Sequence, residues 1–133
     1  MATKIYVNLP VKDLQRSVRF FQAVGFGFNP QLSDDTAACM AISDEIFVML
    51  LTEAKFREVA RRPVADTARM TEVLTCLSVE SRARVNQMID RALAQGGREV
   101  REPEDHRFMF GRSFSDLDGH IWEIIYMAPE AIA

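Results

Sequence analysis

The residues with chemical potential are few, and Glu123 is the most conspicuous of them. It stands inside Ile121-Trp122-Glu123-Ile124-Ile125-Tyr126, a run so apolar that a lone carboxylate must either reach water in a cavity or find a partner. Two readings follow: an acceptor for a buried arginine or tyrosine hydroxyl, or a carboxylate that faces a ligand. Arg112 is the candidate partner. It alternates with Phe108, Phe110 and Phe114 on one side of a strand. If that side meets Glu123, the guanidinium can grip a carboxylate or phosphate substituent with two parallel hydrogen bonds; otherwise Arg112 belongs to a surface or dimer-rim salt bridge. Glu72 opens a strand, at an exposed sheet edge or at a pocket. Tyr6 and Asn8 share one side of the first strand, where tyrosine can stack on a flat ligand and asparagine can exchange a hydrogen bond, unless both serve neighbouring backbone.

The remaining reactive types carry less. His120 follows Asp118-Gly119 in a turn, which fits a turn-stabilising role, and His106 lies in the 102–107 loop, as an exposed side chain or an acid or base. No serine or cysteine has a readable histidine and acidic partner, so nucleophilic catalysis has no warrant. Asp116-Leu117-Asp118-Gly119 resembles the start of a calcium loop, but the twelfth position is Met127 rather than glutamate, so it reads as a β-turn. Neither GxGxxG nor GxxxxGK[ST] occurs. Cys39 and Cys76 lack CxxC spacing and read as buried, reduced thiols of a cytoplasmic protein. Met40, Met49 and Met109 read as packing, with pocket lining as the alternative.

These residues need a scaffold, and the pattern supplies one twice. Lys4 to Leu9 is a strand; Asp13 caps a helix carrying Leu14, Val18, Phe21 and Val24, closed by Gly25. Strands follow at 26–29, 37–42 and 46–52. Residues 53–62 predict a short helix, and 54–70 as a whole a linker between module one (about 3–53) and module two (about 71–128). The order then restarts: a strand over 71–79, a helix capped by Ser81 and ended by Gly96-Gly97, and strands at 98–101, 108–114 and 121–127. The expectation is a single α+β domain of two tandem βαβββ modules. Their mixed sheets curve into a cup with the helices on the outer faces. Alternation sends Ile5, Val7 and Leu9 toward the helices and Tyr6, Asn8, Glu72, Leu74 and Cys76 into the cup.

Composition bounds the partners. The chain has 133 residues, 16 Lys plus Arg against 19 Asp plus Glu, and a formal net charge of -3, with no basic block longer than Arg61-Arg62. That is no footprint for nucleic acid or an anionic membrane. The longest nearly uncharged apolar stretch, 46–51, is far short of the roughly 20 residues that span a bilayer. The first residues, Met1-Ala2-Thr3-Lys4-Ile5, lack the apolar core of a secretory signal.

Val11-Lys12-Asp13-Leu14, Ser17-Val18-Arg19-Phe20-Phe21 and Val24-Gly25-Phe26, together with Asp116-Leu117-Asp118-Gly119-His120-Ile121-Trp122-Glu123, resemble the vicinal oxygen chelate superfamily of glyoxalase I, extradiol dioxygenases and bleomycin resistance proteins. The resemblance implies paired βαβββ modules, frequent homodimers and, in the enzymes, a divalent metal held from four strands. The matching positions fall on Tyr6, on or beside Leu50, near Leu74, and on Glu123. The fourth alone is a metal donor of the usual kind, so no metal and no other cofactor is expected. A weakened site of Asn8, Glu72 and Glu123 is the alternative. The expected function is a cup that binds a small aromatic or amphipathic molecule, in a homodimer, through Tyr6, Asn8, Glu72, Arg112 and Glu123. The alternative is a glyoxalase-type lyase or isomerase using Glu123 as base or metal ligand. A third reading is a vestigial cup in a subunit that serves protein interaction.

Overall fold

The computed structural model describes residues 2–129, which fall in two compact units, Met1–Ala65 and Asp66–Ala133. The boundary lies inside the segment expected to link the modules.

The first unit runs β1 (Ile5–Val11), α1 (Leu14–Val24), β2 (Gly27–Asn29), a 3-10 turn (Pro30–Leu32), β3 (Ala37–Ala41), β4 (Ile46–Thr52) and α2 (Glu53–Ala60). Its sheet has the order β1-β4-β3-β2, with β1 parallel to β4 and the other pairs antiparallel. Helix α1 starts where Asp13 accepts a hydrogen bond from the Arg16 amide, relieving one of the four unpaired N–H groups at a helix start. It ends at Gly25, whose φ of 129° is open to a residue without Cβ and whose N–H returns to the Phe21 and Gln22 carbonyls. Leu14, Phe20, Phe21 and Val24 of α1 are buried, as are Leu9, Val11, Met40, Val48 and Leu50, which alternate onto one face of the sheet. Helix α2 packs against β1 and β4.

The second unit repeats the plan with β5 (Leu74–Ser78), α3 (Arg82–Ala94), β6 (Arg98–Glu99), β7 (Glu104–Asp105), β8 (Met109–Ser115) and β9 (Ile121–Met127). The order is β5-β9-β8-β6, with β5 parallel to β9, and β7 also pairs with β8. Two expectations change. The strand over 71–79 contracts to Leu74–Ser78. The strand over 98–101 contracts to two residues, while part of the 102–107 loop becomes β7, so the outer neighbour of β8 is one strand cut in two. Residues 100–103 bridge the cut, and Pro103 among them has no N–H to give a ladder. Val85, Met88, Ile89 and Ala92 of α3 pack over Phe114, Trp122 and Ile124, with Phe114 and Trp122 stacked at 6.3 Å between ring centroids.

Candidate functional site

Glu123 lies on the face of the second sheet turned away from α3. Its register partners are Cys76 on β5 and Ser113 on β8, and directly opposed residues project to the same side, so Cys76, Glu123 and Ser113 form one rung across three strands. The partner of Glu123 is Arg101, from the 100–103 bridge. One terminal guanidinium nitrogen donates to Glu123 Oε1 at 3.1 Å and the other to Oε2 at 3.3 Å. The second also donates to Glu104 Oε1 at 2.8 Å, and the other Glu104 oxygen lies 3.3 Å from His106 Nε2. The Glu123 side chain is 18% exposed against 46% for Arg101, so the carboxylate is the inner member of the pair.

The electrostatics follow from these contacts. Hydrogen bonding to Glu123, then its negative charge, pushes the Arg101 pKa up. The bonds from His106 and Arg101 hold the Glu104 carboxyl below its usual value. Partial burial, and then the charge of Glu123, raise the Cys76 thiol, which keeps it protonated. Cys76 is exposed rather than buried as expected, because β5 is the sheet edge and its side chain points away from α3; Cys39 is fully buried as expected. The Ser113 hydroxyl is buried without a hydrogen-bond partner.

Arg112 does not meet Glu123. It is paired in register with Ile124, one residue on, and therefore projects to the α3 side. There its Nε donates to Glu99 at 3.1 Å and one terminal nitrogen donates to Asn86 and Asp90, both at 3.0 Å. This pinning of α3 to the sheet replaces the expected ligand role. Glu72 lies before β5 rather than on it, and its Oε1 is 2.6 Å from His120 Nδ1. His120 is 2% exposed and belongs to the β8–β9 turn, where Asp116 Oδ1 accepts from the amides of Asp118 and His120 and Oδ2 accepts from the indole of Trp122. Thr67 donates its hydroxyl proton to the Asp118 carbonyl. Glu72 and His120 thus tie the segment before β5 to the turn.

In the first unit, Tyr6 and Asn8 project from β1 opposite to α1, as expected. The Tyr6 ring stacks on Phe47 at 4.8 Å, and the Asn8 amide donates to the Tyr6 carbonyl, so both engage their own surroundings. Leu50, matched above to a metal position, alternates onto the α1 side and is fully buried. Leu74 is apolar and 59% exposed. A donor set for a divalent ion needs several such groups together, and Glu72 is engaged by His120 and Glu123 by Arg101. Among the described residues no three of His, Cys, Asp and Glu converge in that way.

Sequence patterning puts Arg101 inside a strand, which hides its reach to Glu123. The signal was Pro103, which forces an interruption beside it.

Two βαβββ units with this strand order define a glyoxalase-like α+β fold. The chain belongs to the Glyoxalase/Bleomycin resistance protein/Dioxygenase superfamily, whose sequence profile matches residues 5–124. A hypothetical protein from S. aureus is 29% identical, with a TM-score of 0.79 and 95% of each chain covered. The fosfomycin resistance protein FosX from Mesorhizobium loti shares the fold at 16% identity and a TM-score of 0.70, covering 100% of this chain and 99% of that one. An antibiotic binding protein from a Streptomyces species does so at 16% identity and 0.66, covering 96% and 98%. No curated protein sequence matches the chain significantly.

Proposed function

We propose that the protein is a small-molecule-binding member of this superfamily that works without a metal, taking an aromatic or amphipathic ligand on the α3-free face around Glu123. The observation that carries the reading is the two-bonded Arg101–Glu123 pair. The carboxylate at the family's last metal position already has a paired cation, and small side chains, the exposed Cys76 and the buried Ser113, flank it on the same rung. The antibiotic-binding neighbour lends support only through the shared fold. The same reading takes the protein as a cytoplasmic homodimer, supported by two free thiols and by edge strands β1 and β5. Among the described residues no helix is long and apolar enough to cross a membrane.

Three measurements test the reading. Titration of metal-stripped protein with Ni, Zn and Mn by calorimetry should show no stoichiometric binding; a tight site would instead favour the glyoxalase-type enzyme with Glu123 as ligand. Thermal-shift screening of aromatic metabolites and antibiotics should yield a saturable rise in Tm, since a ligand that binds the native state alone stabilises it. The rise should vanish in Glu123→Gln and persist in Glu53→Gln. Equal stabilisation of both variants would remove Glu123 from the site. Light scattering that returned a single-chain mass would end the homodimer.

A further inference from the structure

On the rung Cys76–Glu123–Ser113 the groups are unequally served. Glu123 has both oxygens on one guanidinium, whereas the Ser113 hydroxyl beside it is 0% exposed and makes no hydrogen bond. An unmade hydrogen bond at a buried hydroxyl carries the full cost of leaving water, so it marks a group that a further partner would satisfy. The charge is also unequal: Arg101 is shared between two carboxylates, Glu123 and Glu104, leaving these three side chains one negative charge in excess, with the exposed His106 ring on the outer oxygen of Glu104. Around the rung the same face carries Leu74, Ile125 and Met127, an apolar surface for a ligand body.

We propose that Glu123 and Ser113 form a recognition site for an organic ammonium, a ligand with an apolar body and one protonated amine, and that Arg101 fills this site as an internal stand-in until the ligand displaces it. The proposal rests on the small-molecule-binding reading above and adds the chemical class. A guanidinium is a planar fork that spends its two terminal nitrogens on the two oxygens of Glu123 and leaves Ser113 unserved. An ammonium is compact and has three N–H donors, two for the carboxylate and one for the serine oxygen. The displaced Arg101 keeps Glu104, at the start of β7, with which it forms an exposed pair at 2.8 Å. Exchange therefore does not strand the guanidinium. A carboxylate or phosphate on the ligand would meet the surplus negative charge, and a neutral hydroxyl would not displace Arg101.

The test uses the full-length protein and three probes of nearly the same shape, naphthylmethylamine, naphthylmethanol and naphthoate, measured by calorimetry at constant ionic strength and neutral pH. The amine should bind about tenfold more tightly than the alcohol, with naphthoate weakest. Arg101→Met removes the competitor and should raise amine affinity several-fold, roughly the effect of freeing a partly occupied site. Glu123→Gln and Ser113→Ala should bring the amine down to the level of the alcohol, with unchanged circular dichroism and Tm values reported for each variant. Tighter binding of naphthoate, or weaker amine binding in Arg101→Met, overturns the ammonium site while small-molecule binding stands. If no probe binds yet the aromatic screen gives a saturable ligand, the ammonium class alone falls; if both are silent, both readings fall. Stoichiometric Mn binding by Arg101→Met without amine binding overturns the proposal in favour of a masked metal site.

Discussion

Replacing Asp116 with alanine is the sharpest test of how the β8–β9 turn is held. The carboxylate accepts three hydrogen bonds, from the Asp118 amide at 2.9 Å, the His120 amide at 3.0 Å and the Trp122 indole at 3.0 Å. His120 and Trp122 are 2% and 0% exposed, so in Asp116→Ala their donors have no access to water, while the Asp118 amide is partly buried and can be rehydrated. At about 1–3 kcal/mol for each buried group left unpaired, the two inner donors cost about 2–6 kcal/mol. Removing a carboxylate whose own burial is costly offsets part of that, leaving an expected net loss of about 3 kcal/mol. Domains of this size are stable by roughly 7–20 kcal/mol, so the loss is large but leaves a folded protein to measure. Trp122 is the sole tryptophan of the chain, which makes its fluorescence a direct reporter of urea unfolding. The expected result is a lower midpoint at an unchanged slope. A loss below about 1 kcal/mol at equal slope would refute the assignment of these donors to Asp116.

The pH dependence of the same residue has a definite sign. Burial raises the Asp116 pKa above its ordinary 3.8 in the folded state. Between the two values the native form holds more protons, so this residue's contribution is full below 3.8 and is lost as pH rises through the folded pKa. Asp116→Asn should therefore gain stability relative to wild type as pH rises across that window, measured by urea midpoints; a relative loss would reverse the sign. Arg112→Met should cost about 1–2 kcal/mol, because the partners Asp90 and Glu99 are partly exposed and screened, and Arg112→Lys should not restore it, lacking the fork that reaches Glu99, Asn86 and Asp90 together. Ligand binding should survive in both variants, since Arg112 lies on the α3 side. Gly119 has φ of +89°, and a Cβ there would meet the Thr67 carbonyl oxygen at 2.8 Å, so Gly119→Ala should lose about 2–4 kcal/mol and release the segment before β5, readable as faster amide exchange at 66–72.

Elements whose signals are local can be read from the residues alone. Asp13 and Ser81 cap their helices, Gly25 closes α1, and β4 and β9 run over 46–52 and 121–127 as read, since capping, period and turn chemistry act within a few residues. The residues also mark Glu123 as a carboxylate in need of a partner. The identity of that partner depends on how the strands assemble. Arg101 and Glu123 are 22 positions apart, Glu72 and His120 are 48 apart, and Arg112 turns to Asp90, also 22 away, rather than to Glu123. Such pairings depend on which strands are neighbours and on which side a residue falls. Side chains alternate along a strand, so one step of register separates Arg112 on the helix side from Ser113 on the α3-free side, and no local pattern fixes that step. The cut between β6 and β7 had the same origin. It follows from β8 pairing with both pieces, which leaves Arg101 free to reach across the sheet to Glu123.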